Sequence, residues 1–281
     1  MVAGNSASRR RILSAALAVA ALGGAAALLG AGAQAQDAKV RAPVVSTPQD
    51  VVERMLAIAG TGPEDYVVDL GSGDGRIVIA AASLHGAQGL GVDIDSRLVE
   101  ISRENARRAG VASRVEFEER DVFATDLSRA TVVTIYLVPS LVDRLRPKLL
   151  DELRPGARIV THAFAMSGWK PDRVEQVRIR SPYLRQGDES TIYLWIVPAK
   201  ARGAWRGGSW RLRVRQNFQE IGIDARAAGR TVAVTDARIK GDAIMFSGPG
   251  FSFRGRVGPA LIAGEITRAG RASPLTFVRV K

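Results

Sequence analysis

Residues 66–76 read Tyr-Val-Val-Asp-Leu-Gly-Ser-Gly-Asp-Gly-Arg and constrain the fold more than any other stretch. A short apolar run ends at Asp69, Gly71, Gly73 and Gly75 alternate after it, and the helix-like stretch Ile77 to Leu84 follows at once. A strand that turns sharply into a helix presents free N–H groups at the helix start, a place suited to the anionic or polar end of a ligand. Glycines remove Cβ atoms there and let a ligand lie against the backbone. A dinucleotide fingerprint, G-x-G-x-x-G, needs its third glycine at position 76, which is Arg76. The spacing G-x-G-x-G behind an acid suits a zwitterionic amino-acid end better than a pyrophosphate. Asp69 would attract an ammonium and the loop amides would hold a carboxylate.

A second apolar strand, Gly86 to Val92, ends at Asp93, twenty residues beyond Gly73. A carboxylate at this strand end can accept both ribose hydroxyls of a nucleoside, and Ile94 would cover one face of the base. A third strand, Val115 to Glu119, ends near Asp121 and Val122, which are placed for the adenine edge. On spacing alone, each acid is also explained as a helix N-cap or turn residue.

The motifs VVDLGSGDGR (67–76), GVDI (91–94) and RDVF (120–123) resemble those of the class I S-adenosylmethionine-dependent methyltransferases, over about residues 47–198. DLGSGDGRIVIAA (69–81), YLVPSL (136–141) and GARIV (156–160) look like the lysine methyltransferases that modify the ATP synthase c-subunit, and their bacterial relatives. The resemblance implies an α/β, Rossmann-like seven-stranded sheet with S-adenosyl-L-methionine as cofactor. The cofactor residues it implies are Asp69, Gly71, Ser72, Gly73, Gly75, Asp93, Ile94, Asp121 and Val122. It also implies an acceptor pocket walled by Tyr136, Pro139 and Ser140, at the end of a fourth strand, Thr131 to Leu137. Base-modifying amino-methyltransferases often carry Asn/Asp-Pro-Pro-aromatic at that place. This chain does not, which counts against a nucleic-acid base as substrate.

His162, after a fifth strand Arg158 to His162, is a candidate proton acceptor for an incoming amine or a hydrogen-bonded rim residue. Trp169 and Tyr183 either narrow an acceptor channel or pack in the core. The expected activity is N-methylation of a protein lysine. A small-molecule methyltransferase and an exported cofactor-binding module of little activity are the alternatives.

The chain has 281 residues, enough for two domains. Arg9, Arg10 and Arg11 precede an apolar run from Ile12 to about Leu29, then Ala33-Gln34-Ala35. This reads as a signal peptide with a twin-arginine character, cut after Ala35, or as an N-terminal anchor. The expected location is therefore periplasmic or membrane-anchored, at odds with a cofactor made in the cytoplasm. There are no cysteines and only two histidines, which excludes thiolate chemistry and a histidine metal cluster. Residues 36–199 carry a net charge of −2 and residues 200–281 one of +11. Such asymmetry points to an anionic partner for the last part: a membrane surface, nucleic acid or an acidic protein.

Residues 1–35 are thus set apart. Residues 36–199 form the cofactor-binding part, opened by a linker and a helix capped by Thr47. A basic, glycine-bearing linker, Pro198 to Gly208, leads to short alternating runs separated by turns. Residues 200–281 are expected to form a small antiparallel barrel or sandwich.

Overall fold

The computed structural model describes residues 46–180 and 187–280. The expected export segment, the first linker and Tyr183 lie outside them. The first half of the described chain alternates helices and strands: α1 (Gln49–Ala59), β1 (Tyr66–Leu70), α2 (Arg76–His85), β2 (Gln88–Asp93), α3 (Ser96–Arg108), β3 (Val115–Glu119), β4 (Val132–Ile135), α4 (Pro139–Glu152) and β5 (Arg158–His162). An antiparallel pair, β6 (Arg173–Arg178) and β7 (Glu189–Ile196), completes a seven-stranded sheet of order β3-β2-β1-β4-β5-β7-β6. β1 to β5 run parallel, and β7 enters antiparallel beside β5.

Helices on both faces explain why the central strands are apolar throughout: all four residues of β4 are buried, as are four of five in β1. Strand order reverses between β1 and β4, and the crevice outside their carboxyl ends is where an open parallel sheet receives its ligand. α1 begins after Pro48, with no side-chain cap. Thr47 does not cap it, because its hydroxyl is turned to His162 instead. α4 starts at Pro139, whose missing N–H costs nothing at the first helical position.

The remainder is a nine-stranded antiparallel sheet: β8 (Gly203–Gly207), β9 (Trp210–Asn217), β10 (Glu220–Ala227), β11 (Arg230–Val232), β12 (Asp236–Lys240), β13 (Ala243–Gly248), β14 (Phe251–Val257), β15 (Leu261–Arg268) and β16 (Arg271–Val280). Its order, β11-β10-β9-β8-β16-β15-β14-β13-β12, curls into a half-barrel. β9 shows the logic: Trp210, Leu212 and Val214 point in, Arg211, Arg213 and Arg215 point out. The interior is filled with side chains, among them Phe246, Phe253 and Phe277, whose rings meet at 4.8–6.2 Å. The supposed linker contains β8, which pairs with both β9 and β16. Its glycines, Gly203 and Gly207, hid it.

An aromatic contact joins the two sheets. Phe218, at the β9–β10 turn, has φ of 52°, an unfavourable value for a side chain of its size. Its ring stacks on Trp169 at 5.1 Å between centroids. Trp169 is buried against Trp195 and donates its Nε1–H to Gln219 Oε1 at 2.8 Å, while Gln219 Nε2 donates to the carbonyl of Lys170. Trp169 is therefore a core residue and does not line an acceptor channel. Phe218→Ala is expected to cost about 1–3 kcal/mol, chiefly lost aromatic packing, since an alanine at φ 52° keeps a Cβ in the left-handed region. Urea unfolding should then separate the two halves into distinct transitions. A single unchanged transition would show that the contact contributes nothing.

Candidate functional site: the crevice at the ends of β1, β2, β4 and β5

Asp69 lies one residue before the end of β1 and is 2 % exposed. It is in register with Thr134 of β4, whose hydroxyl donates to Asp69 Oδ1 at 2.6 Å. Burial pushes its carboxyl up to about 7, against the hydrogen bond from Thr134 and with help from the nearby charges of Asp93 and Asp74. Near neutral pH the group is thus poised to ionise when a cation arrives.

All three loop glycines have positive φ: 85° at Gly71, 56° at Gly73 and 79° at Gly75. They face different surroundings. A Cβ on Gly75 would fall 2.7 Å from the Phe117 ring, so that residue is fixed by packing. A Cβ on Gly73 would meet nothing within 4 Å, so this is where the loop turns its bare backbone to open space. Gly71 backs onto Leu137, two residues past the end of β4.

The loop amides do not form the open carboxylate cradle expected from sequence. Gly71 N and Ser72 N both donate to Val92 O at 2.9 Å, and Gly75 N donates to Ser72 O. Gly73 N donates to Asp93 Oδ2, also at 2.9 Å. The Ser72 hydroxyl is turned inward beside Gly91 and finds no hydrogen-bond partner among the described residues. Ser72 therefore shapes the loop, its amide held by Val92 O and its side chain buried. Asp74 is occupied by the Arg76 guanidinium, which also donates to Thr47 O at 2.8 Å.

Asp93 is held by two amides, Gly73 N on Oδ2 and Asp95 N on Oδ1 at 3.0 Å. Its carboxylate is thereby fixed at the end of β2, with lone pairs remaining for further donors. Ile94 follows it, half-buried, and Asp95 caps α3 through Arg97 N. Asp121 is exposed and its Oδ1 accepts from Phe123 N at 2.8 Å, capping the short 3₁₀ turn Val122–Ala124. That is the turn-acid role its spacing also allowed. Val122 is half-buried and packs against the core.

The other side of the crevice is aromatic. Tyr136 and His162 have ring centroids 4.0 Å apart, and Tyr136 is stacked with Phe164 at 6.5 Å. Pro139 and Ser140, exposed, form the first turn of α4. His162 is 3 % exposed; its Nε2 pairs with Ser190 Oγ at 2.6 Å and its Nδ1 with Thr47 Oγ1 at 3.2 Å. Burial pulls its pKa down to about 4. Both ring nitrogens are thus partnered, and burial favours the neutral ring beside Tyr136.

Immediately after it, Ala163 has φ of 65° and Phe164 N donates back to His162 O at 2.8 Å, a tight, strained turn. Phe164, 37 % exposed, is held out beside Tyr136 by that turn and by the bond from Thr161 Oγ1 to its carbonyl. Sequence reasoning missed Phe164 and Ala163, which carry no motif, and Ser190. It also missed Thr134, although a lone hydroxyl in the otherwise apolar β4 was a readable signal. The described residues hold no group of His, Asp and Glu fit for a metal ion.

Residues 69–173 match the model of the ANTKMT methyltransferase domain. A protein-lysine N-methyltransferase of Saccharolobus islandicus is 38 % identical over 156 residues, 55 % of this chain and 93 % of the relative. The adenine nucleotide translocase lysine N-methyltransferase of Mus musculus is 34 % identical over 165 residues, 58 % of this chain and 72 % of the relative. The Xenopus laevis lysine N-methyltransferase of the ATP synthase c-subunit is 39 % identical over 132 residues, 47 % of this chain and 56 % of the relative. Among solved structures, an RNA methyltransferase from Salinibacter ruber in complex with S-adenosyl-L-homocysteine is 49 % identical, covering 54 % of this chain and 93 % of its own, with a TM-score of 0.49. The chain belongs to the protein-lysine N-methyltransferase family, within the class I enzymes that use S-adenosyl-L-methionine.

Proposed function

We propose that this protein methylates the ε-amino group of a lysine in another protein. The observation that carries the reading is the match to lysine methyltransferases over almost the whole length of the Saccharolobus relative. The chemistry of the crevice agrees with it. S-adenosyl-L-methionine supplies a methyl group on a sulfonium, an electrophile for a neutral amine. Asp69 would face the cofactor's ammonium, the bare backbone at Gly73 would allow close approach, and Asp93 would take the ribose hydroxyls. Ile94, Asp121 and Val122 would border the base.

On the acceptor side, Tyr136 and Phe164 offer ring surface and no charge, with Pro139 and Ser140 at the rim. An apolar entrance favours the neutral form of a lysine by making its ammonium costly, which is what nucleophilic attack requires. With both ring nitrogens of His162 partnered, the amine sheds its proton to water before it enters. Alignment then supplies the main rate advantage, on the order of 7–11 kcal/mol for well-oriented reactants.

The direct test is transfer of labelled methyl from S-adenosyl-L-methionine to cell proteins, with peptide mass spectrometry to place it. Label on lysine side chains is expected. Label confined to RNA or small molecules would contradict the reading.

Cofactor binding should also release protons. Asp69 titrates at about 7 without the cofactor, and an ammonium beside it favours its ionised form. Affinity should therefore rise as pH climbs towards and through 7. Calorimetry in buffers of different ionisation heat should show a proton released at pH 6.5, and none in Asp69→Asn. Equal release by both proteins would remove Asp69 from that role.

His162 predicts a stability effect of defined sign. Its folded pKa of about 4 lies below the ordinary value of 6.5, so the unfolded chain takes the proton first as pH falls. Its contribution is complete above pH 6.5 and lost between 6.5 and 4, by about 3 kcal/mol at most. Asp69 titrates with the opposite slope, so the measurement is the difference between wild type and His162→Asn in urea unfolding. Parallel pH curves would show that His162 is freely protonated in the folded protein.

A further inference from the structure

We propose that the outer face of the half-barrel is a docking surface for an anionic lipid bilayer. The strand register places five exposed residues in one row across five strands. Arg226 of β10 lies opposite Arg211 of β9, Arg211 opposite Arg206 of β8, Arg206 opposite Val278 of β16, and Val278 opposite Leu261 of β15. Two residues along the same face lie Arg213 and Val280, flanking Ala204. Three like charges set directly opposite one another oppose folding of the sheet. Among the described residues, no carboxylate lies within ion-pair distance of Arg206, Arg213 or Arg226; Arg211 donates to the carbonyls of Gly208 and Trp210, and Asp224, opposite Arg213, is paired with Arg215. The row Arg226, Arg211 and Arg206 is thus a stripe of net positive charge that an anionic surface would complement.

The residues beside the arginines identify the occupant. Val278, Val280 and Leu261 are 47–49 % exposed, an aliphatic patch flush with the cationic rows. Cations that reach headgroup phosphates, next to side chains that enter the acyl boundary, are the two components of interfacial binding. Single-stranded nucleic acid fits this face poorly. Binding it without sequence preference rests on exposed aromatic rings, and Trp205, Trp210, Phe246, Phe251, Phe253 and Phe277 are all buried on the inner face. The excess of +11 over residues 200–281 is delocalised over many strands. It matches a fluid surface of mobile charges better than one fixed acidic patch. The surface is independent of the identity of the methyl acceptor.

Sedimentation of the full chain with phosphatidylcholine vesicles, and with vesicles of phosphatidylcholine mixed with phosphatidylglycerol, tests this. The N-terminal apolar segment is common to all variants, so the comparison among them isolates the sheet face. Wild type should prefer the anionic vesicles, less so at high salt. Changing Arg206, Arg211 and Arg226 together to Glu should weaken that binding roughly 100-fold, whereas changing all three to Lys should retain it. Changing Leu261, Val278 and Val280 together to Ser should leave binding weaker and more salt-sensitive. Thermal unfolding checks that each variant folds. Binding unaffected by the Arg-to-Glu changes, or equal binding to both vesicle types, would overturn the proposal. So would loss confined to RNA or DNA binding.

Discussion

The amide of Gly73, in the loop after β1, and the carboxylate of Asp93, at the end of β2, meet at 2.9 Å across the mouth of the crevice. Most of the site follows from that bond. It fixes the glycine loop to the end of β2 while the neighbouring amides, Gly71 N and Ser72 N, hold the Val92 carbonyl. Gly75 lies close against Phe117, with no room for a side chain. Asp93 is thus aligned before any ligand arrives, and the ordering cost on binding is correspondingly small. Behind the loop, Asp69 is held under Thr134 with its carboxyl near the point of ionisation at neutral pH.

The opposite wall depends on a different device. His162 bridges Thr47, ahead of α1, to Ser190 on β7, and its ring supports Tyr136. The segment before the first helix is thereby tied to the Tyr136 side of the crevice, and Arg76 adds a second tie through the Thr47 carbonyl. The strained turn at Ala163 then presents Phe164. The crevice thus sets a neutral, aromatic wall opposite an acid-lined loop.

The parallel sheet was legible because its code is local: β-branched runs, acids at strand ends and glycines at one turn. β1 to β5 fall close to the places their residues suggest. The half-barrel was less legible. β8 sits between glycines, and β12, Asp-Ala-Arg-Ile-Lys, buries only Ile239. Their strand character comes from neighbours on both sides, a non-local cause. In the site, residue types announced Asp69, Asp93 and Gly73. Which groups they touch did not follow from spacing: the loop amides turned out to be satisfied internally, and Thr47 left its helix for His162. Tertiary hydrogen bonds decided each of these cases.

Isothermal calorimetry with S-adenosyl-L-methionine on wild type and Asp93→Ala is the most direct test of the central claim, that the loop and the β2 carboxylate jointly hold the methyl donor. The account predicts binding by the wild type and a loss of about 1–3 kcal/mol in the variant, from charged hydrogen bonds no longer made. Equal affinity in both proteins, or no binding heat with folded wild type, would contradict it.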